Sequence, residues 1–115
     1  MHAFDVLGDP VRRRIIELLA DGELTSGSVV TAIGAEFGIS QSAVSQHLAV
    51  LRESGFATVR RAGARRIYAL DTTPLSEIDR WIDRFRHLWS QKLDALHTEI
   101  VRGRRARRDE DGDSS

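Results

Sequence analysis

The sequence predicts a mostly α-helical fold with one small β-hairpin, and two patterns indicate it. Apolar residues recur at spacings of three and four along most of the chain, which is typical of helices with one buried face. Residues 56–70 alternate between apolar and polar side chains instead, which is typical of strands. Glycines separate these segments, and the predicted order is α-α-α-α-β-β-α.

Size and composition narrow the class of protein. A length of 115 residues predicts one domain, placed at residues 1–101 and followed by a charged, disordered tail at 102–115. The absence of cysteine excludes disulfides and thiolate metal sites. The N-terminus has no long apolar run, so we expect neither a signal peptide nor a membrane span, and a cytoplasmic location. The zero net charge argues weakly against a simple polyanion binder.

The first two long helices have recognisable ends. Asp9 followed by Pro10 predicts an N-cap and a first helical residue, with the helix running to about Ala20. Within it, Arg13 is expected to pair with Glu17 four residues later. Thr25 or Ser26 is expected to cap the next helix, which ends at a glycine suited to positive φ, Gly38.

The helix in "GISQSAVSQHLAVL", residues 38–51, has an unusual outer side. Ser40 is its expected N-cap, and Val44, Leu48 and Leu51 form the predicted buried stripe. The opposite side carries no charge, although solvated helix faces are usually rich in Glu and Lys. Its residues are small or carry amides: Gln41, Ser42, Ser45, Gln46 and Ala49. This composition indicates a surface that something other than water approaches closely.

The hairpin that follows is rich in arginine. "AGA" at residues 62–64 predicts the turn, with Gly63 free to adopt positive φ. Arginines occur on both arms: Arg60, Arg61, Arg65 and Arg66. Such a hairpin is suited to contacting phosphates, although a solvated charged hairpin would have the same composition.

The last helix is predicted to begin at Thr73 and Pro74 and to carry a long apolar seam. We interpret this seam as a dimer core, formed by Ile78, Trp81, Ile82, Phe85, Leu88, Trp89, Leu93 and Leu96. A pocket between subunits for an unknown effector is the alternative interpretation of the same aromatic residues.

Together these elements predict a DNA-binding protein. Two helices joined by a tight turn form a helix-turn-helix, whose second helix enters the DNA major groove. Small side chains permit close approach to base edges, and a glutamine amide suits the adenine edge. The predicted phosphate contacts are Ser40, Arg52, Arg60, Arg61, Arg65 and Arg66. A winged-helix module that binds protein and no DNA is the alternative.

From about Phe4 to Ile100 the chain resembles the ArsR-type winged helix-turn-helix repressors. The resemblance is carried by "LGDPVRRRIIELLADGELT", "ISQSAVSQHLAVLRESG" and "RRAGARRIYAL". It implies a homodimer, paired through its terminal helices, that binds a palindromic operator on double-stranded DNA until a signal releases it. It also implies that residues 40–49 are the recognition helix and that Gly63 lies in the wing.

The chain departs from the family at two metal-sensing sites. Enzyme activity is not expected. The family's cysteine motif is absent from "ELTSGSVVTAIG". A second family site uses Asp and His on the last helix, but Asp83, His87 and His97 do not reproduce its ligand spacing. We therefore expect no cofactor and no metal, with a metal- or ligand-responsive sensor as the alternative. No catalytic motif is present either.

Overall fold

A computed structural model describes residues 2–113 of the chain, and describes side chains for residues 2–104. The predicted fold class is confirmed. The elements in order are α1 (Ala3–Leu7), α2 (Pro10–Ala20), β1 (Leu24–Thr25), α3 (Ser26–Phe37), α4 (Gln41–Glu53), β2 (Ala57–Ala62), β3 (Arg65–Leu70) and α5 (Thr73–Asp113). The chain divides into two compact units between Asp79 and Arg80.

The predicted helix caps are present. The Asp9 carboxylate accepts hydrogen bonds from the backbone N–H groups of Val11 at 2.8 Å and Arg12 at 3.2 Å. Partial burial acts to raise the pKa of Asp9. The backbone hydrogen bonds, together with the charges of His47 and Arg12, outweigh that effect and hold the pKa below 3.8. Asp9 therefore stays ionised and keeps capping α2 in mild acid.

The arginines at the start of α2 differ from the prediction. Arg13 does not pair with Glu17, because its guanidinium donates to the backbone carbonyl of Leu7 at 2.5 Å. Arg14 pairs with Glu17 instead, at 3.1 Å, and with Glu36 of α3 at 3.0 Å. The physical reason is that α1 ends in unsatisfied carbonyls, which a nearby arginine can cap.

The sheet has one strand more than the sequence predicts. β3 lies between β1 and β2, and all neighbours are antiparallel. β1 pairs Leu24 with Tyr68 and Thr25 with Ile67. A strand of two residues is too short to show an alternating pattern, so sequence periodicity could not reveal it.

A single core holds the first unit together. Its fully buried side chains come from α1 to α4 and from the residue before β2, and include Val6, Ile15, Ile33, Leu51 and Phe56. Among the described side chains no polar atom is buried without a hydrogen-bond partner. The buried stripe predicted for α4 is therefore confirmed, and its packing turns the opposite side of α4 outward.

The two ends of helix α5 have features that the sequence does not indicate. Ile78, predicted in the dimer seam, packs half-buried against the core of its own unit. At the other end α5 continues through Asp113, beyond the predicted start of the tail at Arg102. Arginine, alanine and glutamate are good helix formers, so the absence of apolar residues does not end the helix. Residues 114 and 115 of the predicted tail lie outside the described part.

Candidate nucleic-acid interface

The turn between α3 and α4 sets the direction of the exposed helix. Gly38 lies in the left-handed region at φ 65°, and its N–H donates to the carbonyl of Gly34 at 2.9 Å. Other residues adopt this φ at a cost, which explains the glycine. Ser40 then restarts the chain as a helix, because its hydroxyl accepts from the N–H of Ala43 at 3.1 Å. The sequence predicts both features.

The outer face of α4 is exposed to solvent. All five residues predicted to read bases are exposed: Gln41, Ser42, Ser45, Gln46 and Ala49. Within residues 2–104, none of their side chains forms an intramolecular hydrogen bond or ion pair. Their donors and acceptors are therefore available to another molecule.

The wing presents its arginines on two faces. In the antiparallel register Arg61 lies directly opposite Arg66, and Val59 opposite Tyr68. Because side chains alternate along a strand, these four residues share one face of the sheet. Like charges directly opposite each other destabilise a sheet, so the Arg61–Arg66 pair gains from an anion bound beside it.

Two grooves connect the wing to the helices. Arg66 lines a groove of about 520 Å³ together with Ser45, Ala49 and Arg52 of α4. The groove therefore brings together two predicted phosphate contacts, one from α4 and one from the wing, and two predicted base contacts from α4. Arg65 lines a different groove, of about 750 Å³, beside the N-terminus of α3.

The groove at α3 contains residues that the sequence does not single out as DNA contacts. Its lining includes the hydroxyl groups of Ser26, Ser28 and Thr31 beside Arg65. Each hydroxyl can donate to a phosphate oxygen. The cluster of hydroxyl residues after Glu23 was the available signal, although such residues are equally common as helix caps.

Arg60 stands apart from the other wing arginines. Its Nη2 lies 2.7 Å from Oε2 of Glu23, which precedes β1. A phosphate contact by Arg60, as the sequence predicts, would require this ion pair to open.

Comparison with known proteins identifies the family to which this chain belongs. Residues 9–59 match the family described as bacterial regulatory protein, arsR family. The chain is also 40% identical over 92 residues to the HTH-type transcriptional regulator Rv2034 of Mycobacterium tuberculosis, covering 80% of this chain and 79% of that protein. The chain belongs to the ArsR family.

Further ArsR-type relatives agree with this assignment. The transcriptional repressor SdpR of Bacillus subtilis (strain 168) is 33% identical, over 73% of this chain and 89% of that protein. A crystal structure of a possible transcriptional regulator for arsenical resistance superposes with a TM-score of 0.63 at 39% identity, covering 74% of this chain and 84% of the other. The fold is a winged helix-turn-helix, and this ArsR-family member is a DNA-binding transcriptional regulator.

The residues considered for metal binding do not form a cluster. Within the described part of this ArsR-family chain, no group of three or more His, Asp or Glu side chains is placed to hold a metal ion. Asp83 forms an ion pair with Arg86 at 3.2 Å, while His87 and His97 are exposed on α5. In the same described residues no helix is long and apolar enough to cross a membrane.

Proposed function

We propose that this chain is a homodimeric repressor that reads a palindromic operator with α4 and grips the DNA backbone with its wing. One observation carries the proposal: the exposed, uncharged face of α4 lies beside an arginine-bearing groove of the wing. A solvated helix face would carry charges, whereas a face packed on base edges requires small or amide side chains.

Base selection is assigned to five residues of α4. Gln41 and Gln46 each offer a donor and an acceptor, the pair that an adenine edge requires in the major groove. Ser42 and Ser45 are short enough to let the helix backbone approach, and each hydroxyl can donate or accept. Ala49 offers a methyl group to a thymine methyl.

Affinity is assigned to phosphate contacts around that face. Arg52, at the end of α4, shares its groove with Arg66 of the wing. Arg61 lies opposite Arg66, and Arg65 lies near the α3 hydroxyl groups. The hydroxyl of Ser40 keeps its own proton for donation, because in the cap it acts as an acceptor. These contacts would fix the position of α4 without selecting a sequence.

Dimerisation is assigned to α5. Its large apolar side chains from Trp81 to Ile100 are between 44% and 68% exposed, and they form one continuous face. A face of this size on a single helix indicates an interaction surface. Because two-fold pairing is the commonest form of assembly, a second copy of the chain is the partner we propose.

The spacing of this face supports an antiparallel pair. Ile82, Phe85, Trp89, Leu93 and Leu96 follow one another at intervals of 3, 4, 4 and 3 residues, which is the same in both directions. A two-fold axis at Trp89 therefore places Phe85 against the partner's Leu93 and Ile82 against the partner's Leu96. Trp89 is also the most exposed of these side chains, at 68%. The contacts across a two-fold axis must be self-complementary, and a spacing that is the same in both directions meets this requirement.

The operator itself provides the test. We expect purified protein to retain genomic DNA fragments that contain two inverted half-sites with centres about 34 Å apart, one turn of the duplex. Sequencing of fragments selected against excess nonspecific competitor would give the half-site and its spacing. Recovery of fragments with no shared motif would contradict specific base readout, and no retention at all would favour a protein-interaction module.

A further inference from the structure

The wing arginines are not equivalent, because one of them is held in an ion pair. By the strand register Arg61 and Arg66 share the face of Tyr68, whereas Arg60 and Arg65 lie on the other face. Arg60 is engaged by Glu23, with its Nη2 2.7 Å from Oε2. Within residues 2–104, the other three wing arginines form no ion pair.

The Glu23–Arg60 ion pair crosses the whole sheet. Glu23 precedes the edge strand β1, Arg60 belongs to the other edge strand β2, and β3 lies between them. Neighbouring strands are about 4.8 Å apart, so the two edge backbones are separated by about 10 Å. The Arg60 side chain therefore extends over β3 toward β1. Arg66 lies on the opposite side of the sheet, in the groove shared with α4.

This ion pair has little effect on the stability of the fold. Its main effect is on the positive charge that the wing offers to phosphates. Its side chains are 60% and 52% exposed, and ion pairs exposed to this extent add little to the stability of a fold. Electrostatic effects on a neighbouring phosphate extend to about 10 Å at moderate salt. Residues 2–79 carry eight arginines, no lysine and ten carboxylates, and four of the eight arginines lie in the wing, so the state of Arg60 changes the positive charge there by a quarter.

We propose that Glu23 is a positioning residue that holds Arg60 out of the DNA interface. Each wing then neutralises phosphates through Arg61, Arg65 and Arg66. This inference rests on the proposed DNA-binding function and deepens it. Its consequence is a lower overall affinity for DNA: phosphate contacts carry no sequence information, so withholding one arginine lowers binding to every sequence and leaves base contacts unchanged.

The salt dependence of DNA binding tests the proposal. The logarithm of affinity for a mixed-sequence duplex is measured against the logarithm of salt concentration for the native protein, Glu23→Gln, Arg60→Ala and the double variant. Each phosphate contact contributes about 0.9 to the slope, hence about 1.8 for both protomers of a dimer. We expect Glu23→Gln to steepen the slope by about 1.8 and to bind roughly three- to tenfold tighter at low salt. Arg60→Ala should keep the native slope, and the double variant should return to it.

Two controls make the outcome specific. Glu36→Gln removes a carboxylate from a different arginine pair, that with Arg14, and should leave the slope unchanged. Arg66→Ala should flatten the slope by about 1.8. A flattening of the same size by Arg60→Ala, or no change in Glu23→Gln, overturns the role of Glu23 and leaves the proposed function intact. Failure of the native protein to bind any duplex overturns both.

Discussion

The first unit and the part of α5 that follows it differ in the exposure of their apolar side chains. In the first unit Ile15, Val44 and Leu51 have no exposed surface, and the polar face of α4 is left free. In the part of α5 beyond Asp79 the large apolar residues are about half exposed, and Trp89 reaches 68%. The first unit has therefore completed its own core, whereas α5 offers a surface that only another molecule can cover.

This difference separates two tasks within one short chain. Recognition of DNA requires a helix whose inner side packs firmly on the core. Its outer residues then have no packing role and are available to contact bases. Assembly requires the reverse, a helix whose apolar residues remain outside. The predictions below change one side of this division at a time.

The largest effect is expected from a charge at the centre of the α5 face. Trp89→Asp should abolish the dimer and lower operator affinity about 100- to 10,000-fold, because binding of the second half-site would no longer be linked to the first. Sedimentation equilibrium and gel shifts measure the two effects. Gln91→Asp, on the polar side of the same helix, is the matched control and should retain both properties.

The arrangement of the pair is tested by cysteine crosslinking, since the native chain has no cysteine. Under mild oxidation Trp89→Cys should form a disulfide with itself across the two-fold axis, whereas Phe85→Cys alone should not. A mixture of Phe85→Cys and Leu93→Cys protomers should crosslink to each other. Crosslinking of every position with its own copy would indicate a parallel pair and disprove the antiparallel arrangement.

A core truncation distinguishes folding of the first unit from assembly. Leu51→Ala should lower the free energy of unfolding by about 2–5 kcal/mol, because Leu51 has no exposed surface. Urea titration measures the loss. Leu93→Ala, at a residue that is 52% exposed, is the comparison and should weaken dimerisation more than folding of the first unit. Equal losses of folding stability would show that the two units do not divide these tasks.

Base selection should respond to a smaller change. Gln46→Ala is expected to cost about 1–3 kcal/mol of discrimination at one operator position in each half-site. Affinities for a panel of single-base operator variants measure it. A uniform loss across the panel would show that Gln46 positions the helix and does not read a base.

The smallest effect concerns the cap of α2. Asp9→Ala should lower the free energy of unfolding by about 1 kcal/mol at neutral pH. The pKa of Asp9 is held below 3.8 in the folded protein, so the stabilisation is fully present above that pH and is lost as the pH falls through the lowered value. Unfolding curves between neutral and acidic pH should therefore converge for the two proteins. A difference that persists in acid would assign the effect to packing.

Most of the fold could be predicted from local signals, and the residues show why. Asp9, Gly38 and Ser40 act on their own neighbours within four residues, so their roles are readable in the sequence. The outward side of α4 follows from the spacing of Val44, Leu48 and Leu51.

The remaining features depend on residues far apart in the chain. The Glu23–Arg60 ion pair needs β1, which is too short to leave a pattern. The choice of Arg14 over Arg13 for Glu17 depends on carbonyls at the end of α1. Ile78 continues the apolar spacing of α5, and only packing shows that its own core covers it. Periodicity identifies an apolar face and says nothing about what covers it.

The half-exposed face of α5 has a consequence for how DNA binding responds to the amount of protein in the cell. When most of the protein is monomeric, the concentration of the proposed dimer grows with the square of protomer concentration. A twofold change in synthesis then becomes a fourfold change in operator occupancy while few operators are filled.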